Sequence, residues 1–122
     1  MSLPSAYRRI GKEQPRLLEA YERFGEACAK AGPLDVKTIA LVKLAISLGA
    51  GLEGAAHSHC RKALAAGWTA DELMHVAHLC APTIGFPPMM RNRGWVEDVV
   101  EKGAKDGKGG KGKGGGKRKK SR

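Results

Sequence analysis

Residues 34–73 read LDVKTIALVKLAISLGAGLEGAAHSHCRKALAAGWTADEL. In the first half, apolar residues fall at helical spacing on nearly every side of the run. A helix of that kind is expected to be central and buried, with Asp35 as its N-cap. Gly49 and Gly51 end it. The second half is a different kind of helix, Leu52–Ala66, built on alanine, with Gly67 as its C-terminal stop. Thr69 and Glu72 have the spacing of a capping box and open a further helix, ELMHVAHLCA, which Pro82 is expected to terminate.

Working outward, the same periodicity predicts helix over Gln14–Ala31, where Leu17, Leu18, Tyr21, Phe24 and Ala27 recur and Gly32-Pro33 stops the run. A short helix is expected at Ser5–Ile10. Pro87-Pro88 start a last one over Met89–Lys102 that carries Trp95 and Val99. Nothing alternates with the period of a strand. The fold class is therefore all-α, a compact helical bundle. One domain is expected over residues 1–103, followed by a disordered Gly/Lys-rich tail over 104–122.

Charge is concentrated in that tail. From Lys105 onward nine Lys or Arg face a single Asp, which accounts for +8 of the formal +10. The tail has no aromatic residue for base stacking. It suits weak, salt-dependent binding of nucleic acid or another polyanion, as a non-enzymatic binding module would use it. The body carries little net charge. Its core is small enough that a partner subunit is expected to help cover the apolar faces. Cys28, Cys60 and Cys80 form no close pair, which suits a reducing compartment. No apolar segment resembles a signal peptide or a membrane span, so a cytoplasmic protein without membrane contact is expected.

The candidate chemistry lies on the alanine-rich helix. At about 100° per residue, Ala55, Ala56, Ala63 and Ala66 share a face with His59 in its middle. His57 points about 160° away from His59. Glu53, His57, Cys60 and Leu64 form a second cluster along one edge, with Glu53 and His57 one turn apart. A histidine desolvated among alanines favours its neutral form and suits a general base. A carboxylate beside His57 favours the imidazolium and orients the ring. The plain alternative is a packed core histidine with one hydrogen bond. His75 and His78, one turn apart on the next helix, are weak metal candidates. No standard zinc spacing is present, and no cofactor is expected.

These residues carry a resemblance. LD-x-K-T, the long apolar helix, and then His59, Ala63, Gly67 and Glu72 in the pattern H-x-x-x-A-x-x-x-G-x-x-x-x-E resemble the carboxymuconolactone decarboxylase and alkylhydroperoxidase D family, over roughly residues 33–90. The resemblance implies an all-α bundle assembled as a homotrimer or homohexamer, acting on a small organic acid, lactone or peroxide. At the level of the family it also implies peroxidase (peroxiredoxin-type) activity. The hydroperoxidase branch uses a C-x-x-C pair and an upstream glutamate. On this chain these fall on Leu52, Ala55 and Ala40, so the dithiol motif is absent and only His59 remains. The decarboxylase branch is similar at His59, Arg61 and Ala63. Its glutamate falls on Ala55, and the nearest carboxylate is Glu53. The resemblance thus implies acid–base chemistry centred on His59, with Glu53 and His57 as an acid or orienting pair.

Overall fold

The computed structural model describes residues 5–108. Among the described residues there are helices and no strands: α1 (Ser5–Glu13), α2 (Pro15–Ala29), α3 (Val36–Ala50), α4 (Glu53–Ala65), α5 (Ala70–His78), α6 (Ala81–Ile84) and α7 (Phe86–Lys108). They divide into two compact units, Met1–Val36 and Lys37–Arg122. The division falls inside the stretch that composition alone reads as one domain.

The first unit is a helix pair. Pro15 sits in the first turn of α2, where its missing N–H costs nothing. The Tyr7 hydroxyl donates to the Glu22 carboxylate and links α1 to α2. The apolar residues of α2 that repeat at helical spacing leave Leu17, Tyr21 and Phe24 exposed.

The second unit holds the core. Leu44 and Leu48 of α3, Ala56, Cys60 and Ala63 of α4, Leu73 and Ala77 of α5, and Val96 and Val99 of α7 pack into one buried cluster. The long α7 is its backbone, packed against α4, α5 and α6. Small residues on α4 let neighbouring helices approach closely, which is why an alanine-rich helix can sit inside the bundle.

Local chemistry holds the joints. Gly67 ends α4 with φ +110°, a conformation that L residues with a Cβ rarely adopt. The Thr69 hydroxyl accepts from Glu72 N–H at 3.1 Å, and the Glu72 carboxylate accepts from Thr69 N–H at 2.9 Å, so the expected capping box is present. A cap of this kind contributes about 1 kcal/mol. Trp68 Nε1–H donates to the Lys37 carbonyl at 2.7 Å, and the Lys37 ammonium lies 4.6 Å from the Trp68 ring centre. This clasps the start of α3 to the turn after α4.

One tertiary contact is invisible in the sequence. Asn92 of α7 is fully buried. Its amide donates to the Leu48 carbonyl at 3.1 Å and to the Cys80 sulfur at 3.3 Å. Arg91 donates to the same carbonyl at 3.2 Å and to Asn92 Oδ1 at 3.0 Å. Carbonyls in the last turn of a helix lack intrahelical donors. Here Gly51 N–H reaches the Leu48 carbonyl at 3.2 Å, and the two α7 side chains add to it, which docks α3 to α7.

Three expectations are corrected. The α3 helix is not buried all round: Leu44, Ser47 and Leu48 are buried, while Val42 is 39% and Ile46 62% exposed. An apolar surface on every side needs neighbours on every side, and within its unit α3 has them on one. Pro82 does not terminate the α5 helix, which already stops at His78. It sits instead in the first turn of α6, where proline is tolerated. The last helix begins at Phe86, ahead of Met89, and runs beyond Lys102 and Gly103 to Lys108. The rest of the expected tail, residues 109–122, lies outside the described residues.

Candidate functional site

Helix α4 positions all four sequence-selected side chains. Its regular span from Glu53 to Ala65 places successive residues about 100° apart, so His57 and His59 diverge as the sequence predicts. The buried stripe, however, is Ala56, Cys60 and Ala63, each at most 1% exposed. Cys60 occupies the centre of the buried face and His59 its flank, the reverse of the expected arrangement. The register of α4 against α5 and α7 decides this, and alanine on most positions leaves that register open in the sequence.

Burial defines what Cys60 can do. Desolvation pushes its thiol up to about 11, only partly opposed by the nearby Arg61 charge. The thiolate is the nucleophile, and a thiol protonated at neutral pH inside a core does not attack a peroxide. Cys60 packs in the core with its thiol held in the protonated form. Native protein treated with iodoacetamide at pH 8 is expected to label the exposed Cys28 first. Cys60 should react roughly 100-fold more slowly than an ordinary thiol, from its thiolate fraction alone. Because the folded pKa is raised above its ordinary value of 9.0, the stabilisation from the protonated thiol is complete below that pH. It is lost as pH rises toward 11. Equal labelling of Cys28 and Cys60, followed by peptide mass, would contradict this placement.

His59 is half-buried and makes no hydrogen bond among the described residues. Its pKa is lowered, first by desolvation and then by the positive charges of Lys62 and Lys43. The neutral imidazole is thus the resting form, with two ammonium groups nearby. Lys62 lies on the same helix and Lys43 comes from α3. A packed core histidine would be fully buried and bonded, whereas His59 is half-buried and unbonded among the described residues.

The Glu53–His57 pair has a third member. His57 Nε2 lies 3.0 Å from Asp98 Oδ2 on α7. One donor atom each from Glu53, His57 and Asp98 falls within 4.8 Å of the others. The orienting carboxylate bonded to His57 is therefore Asp98, with Glu53 beside the pair. Sequence reasoning misses Asp98 because it lies 41 positions from His57 and only the packing of α4 on α7 brings it close. It misses Lys43 for the same reason. Since His57 faces α7 and His59 the side toward Lys43, the two imidazoles do not share one reacting atom within a chain.

His75 and His78 are exposed in the last turn of α5, where cations complement the helix dipole. Among the described residues they meet no third metal-ligating group. A surface groove in the first unit is lined by Gly11, Pro15, Arg16, Leu18, Glu19 and Glu22 and includes none of the candidate residues. No helix among the described residues is long and apolar enough to cross a membrane.

The described residues form only helices, and the alanine-rich α4 carries a half-buried histidine beside the core. Residues 15–98 match the carboxymuconolactone decarboxylase family, and the chain belongs to that family. It is similar, at 35% identity over 54 residues, to an uncharacterized protein of Haemophilus influenzae, an overlap of 44% of this chain and 48% of that protein. The chain thus spans about half the length of the curated relative it matches. No solved structure matches it.

Proposed function

We propose that this protein catalyses a proton-transfer reaction on a small organic anion, a carboxylate-bearing acid or lactone, with His59 as the base. One observation carries the reading: a half-buried imidazole without a hydrogen-bond partner among the described residues, kept neutral by desolvation and by the charges of Lys62 and Lys43. The two ammonium groups would attract and orient a carboxylate. The neutral imidazole would take a proton from the carbon or hydroxyl under attack and return it to the product. In a decarboxylation the carbon–carbon bond to the carboxylate would break and CO2 leave, its electron pair passing into the conjugated carbonyl as an enolate, and the enolate carbon would take a proton from the imidazole, which gains that proton from solvent. Membership of the carboxymuconolactone decarboxylase family supports this direction. A thiol-based peroxidase is disfavoured, because the C-x-x-C positions hold Leu52 and Ala55 and the Cys60 thiol is buried and protonated. The test is turnover of a panel of carboxylated lactones and 2-oxo or unsaturated acids by the parent, His59→Ala and Cys60→Ala proteins.

The active form is a homo-oligomer, a trimer or a hexamer. Ile46, Leu79, Phe86 and Met90 of the second unit are between 48% and 63% exposed. Single-chain burial leaves this apolar surface in water, and association of copies would remove it. Sedimentation equilibrium should return three or six times the 13.0 kDa of one chain. A single-chain mass at micromolar concentration would remove this part of the proposal.

A further inference from the structure

The geometry points to a binding site for a first-row divalent metal ion at Glu53, His57 and Asp98, separate from the chemistry of His59. Three donors of mixed type converge from two helices: Glu53 and His57 one turn apart on α4, and Asp98 on α7. Their donor atoms all lie within 4.8 Å of one another, and the His57–Asp98 edge is 3.0 Å. Around an ion with bonds of about 2.0–2.2 Å, neighbouring ligand atoms stand about 3.0–3.5 Å apart. The imidazole–carboxylate edge already has that length. Glu53 is exposed, and rotation of its side chain by roughly 1–2 Å closes the other two edges.

Electrostatics favours the same occupant. Glu53 and Asp98 make no salt bridge to Lys or Arg among the described residues. Two carboxylates beside one imidazole leave negative charge that a cation would compensate. The donor set selects the cation. An imidazole nitrogen disfavours Mg²⁺ and Ca²⁺, and one nitrogen with two carboxylate oxygens suits Zn²⁺, Mn²⁺, Fe²⁺ or Co²⁺. Since Glu53 and Asp98 are exposed, the remaining coordination positions face solvent and would hold water. The site is of the open kind, unlike a closed four-ligand structural zinc site.

The experiment is calorimetric titration of full-length, untagged protein with Zn²⁺, repeated with Co²⁺ to record its visible absorption. One saturable site per chain is expected. His57→Gln, Asp98→Asn and Glu53→Gln should each weaken it about tenfold or more. The double variant His75→Gln, His78→Gln should bind as the parent does. Glu53→Gln alters only an exposed side chain, so its circular dichroism is expected to match the parent and its affinity remains readable even if another variant unfolds. The proposal is overturned by the absence of saturable binding, by Glu53→Gln or Asp98→Asn binding as tightly as the parent, or by loss of binding in the His75, His78 double variant. The His59→Ala protein should bind Zn²⁺ normally. That outcome separates failure of this site from failure of the proposed proton transfer.

Discussion

His59→Ala is expected to lower kcat/KM on the responsive acid or lactone by about 10²–10⁴-fold, the usual worth of a positioned general base. The loss should fall mainly in kcat. Lys43 and Lys62, which would hold the carboxylate, are untouched, so KM should change little. Cys60→Ala should keep full turnover per folded molecule, because its thiol lies in the core and does not ionise near neutral pH. The two variants therefore separate proton chemistry from thiol chemistry. Turnover surviving in His59→Ala would sink the assignment. So would a peroxidase activity lost entirely in Cys60→Ala, which would restore a one-cysteine mechanism. His59 is half-buried among small residues and makes no hydrogen bond among the described residues, so its removal leaves no orphaned polar group behind. Thermal stability should stay close to the parent, and a loss of rate can be read as chemistry.

Leu73→Ala has the largest expected effect on folding. Leu73 is 0% exposed and belongs to the cluster that joins α3, α4, α5 and α7. Truncation removes the transfer free energy of the lost methyl groups and leaves a cavity. The helices around it are joined by capping, the Asn92–Leu48 bond and the Trp68–Lys37 bond, and so cannot collapse freely. Leu→Ala at such sites costs about 2–5 kcal/mol. For a unit of this size the midpoint of thermal unfolding should fall by about 10 °C or more. A midpoint unchanged within measurement error would mean that α5 is not packed as described. The comparison belongs at one protein concentration, since assembly of copies makes the midpoint concentration-dependent.

Much of the fold is legible in the chain. The helices of the central stretch follow from punctuation and period: Gly67 after α4, the Thr69–Glu72 box before α5, and two prolines at the start of α7. These are local preferences of backbone and side chain, and they act over three or four residues whatever surrounds them. The angular divergence of His57 and His59 is equally local, because it follows from the helix itself. The family match, over residues 15–98, takes in these central residues.

Helix type and the central caps thus needed nothing beyond the order of residues, whereas the ends of α5 and α7 differed from the sequence reading. Which side of α4 faces inward did not follow from that order. Alanine is nearly neutral about burial, so the helix could rotate at little cost, and only packing against α5 and α7 put Cys60 at the centre and His59 at the flank. The neighbours of the candidate side chains were settled in the same way. Asp98 for His57, Lys43 for His59, and Asn92 for the end of α3 come from helices distant in the chain. Pairings at that separation depend on how whole helices dock, which no short-range preference specifies.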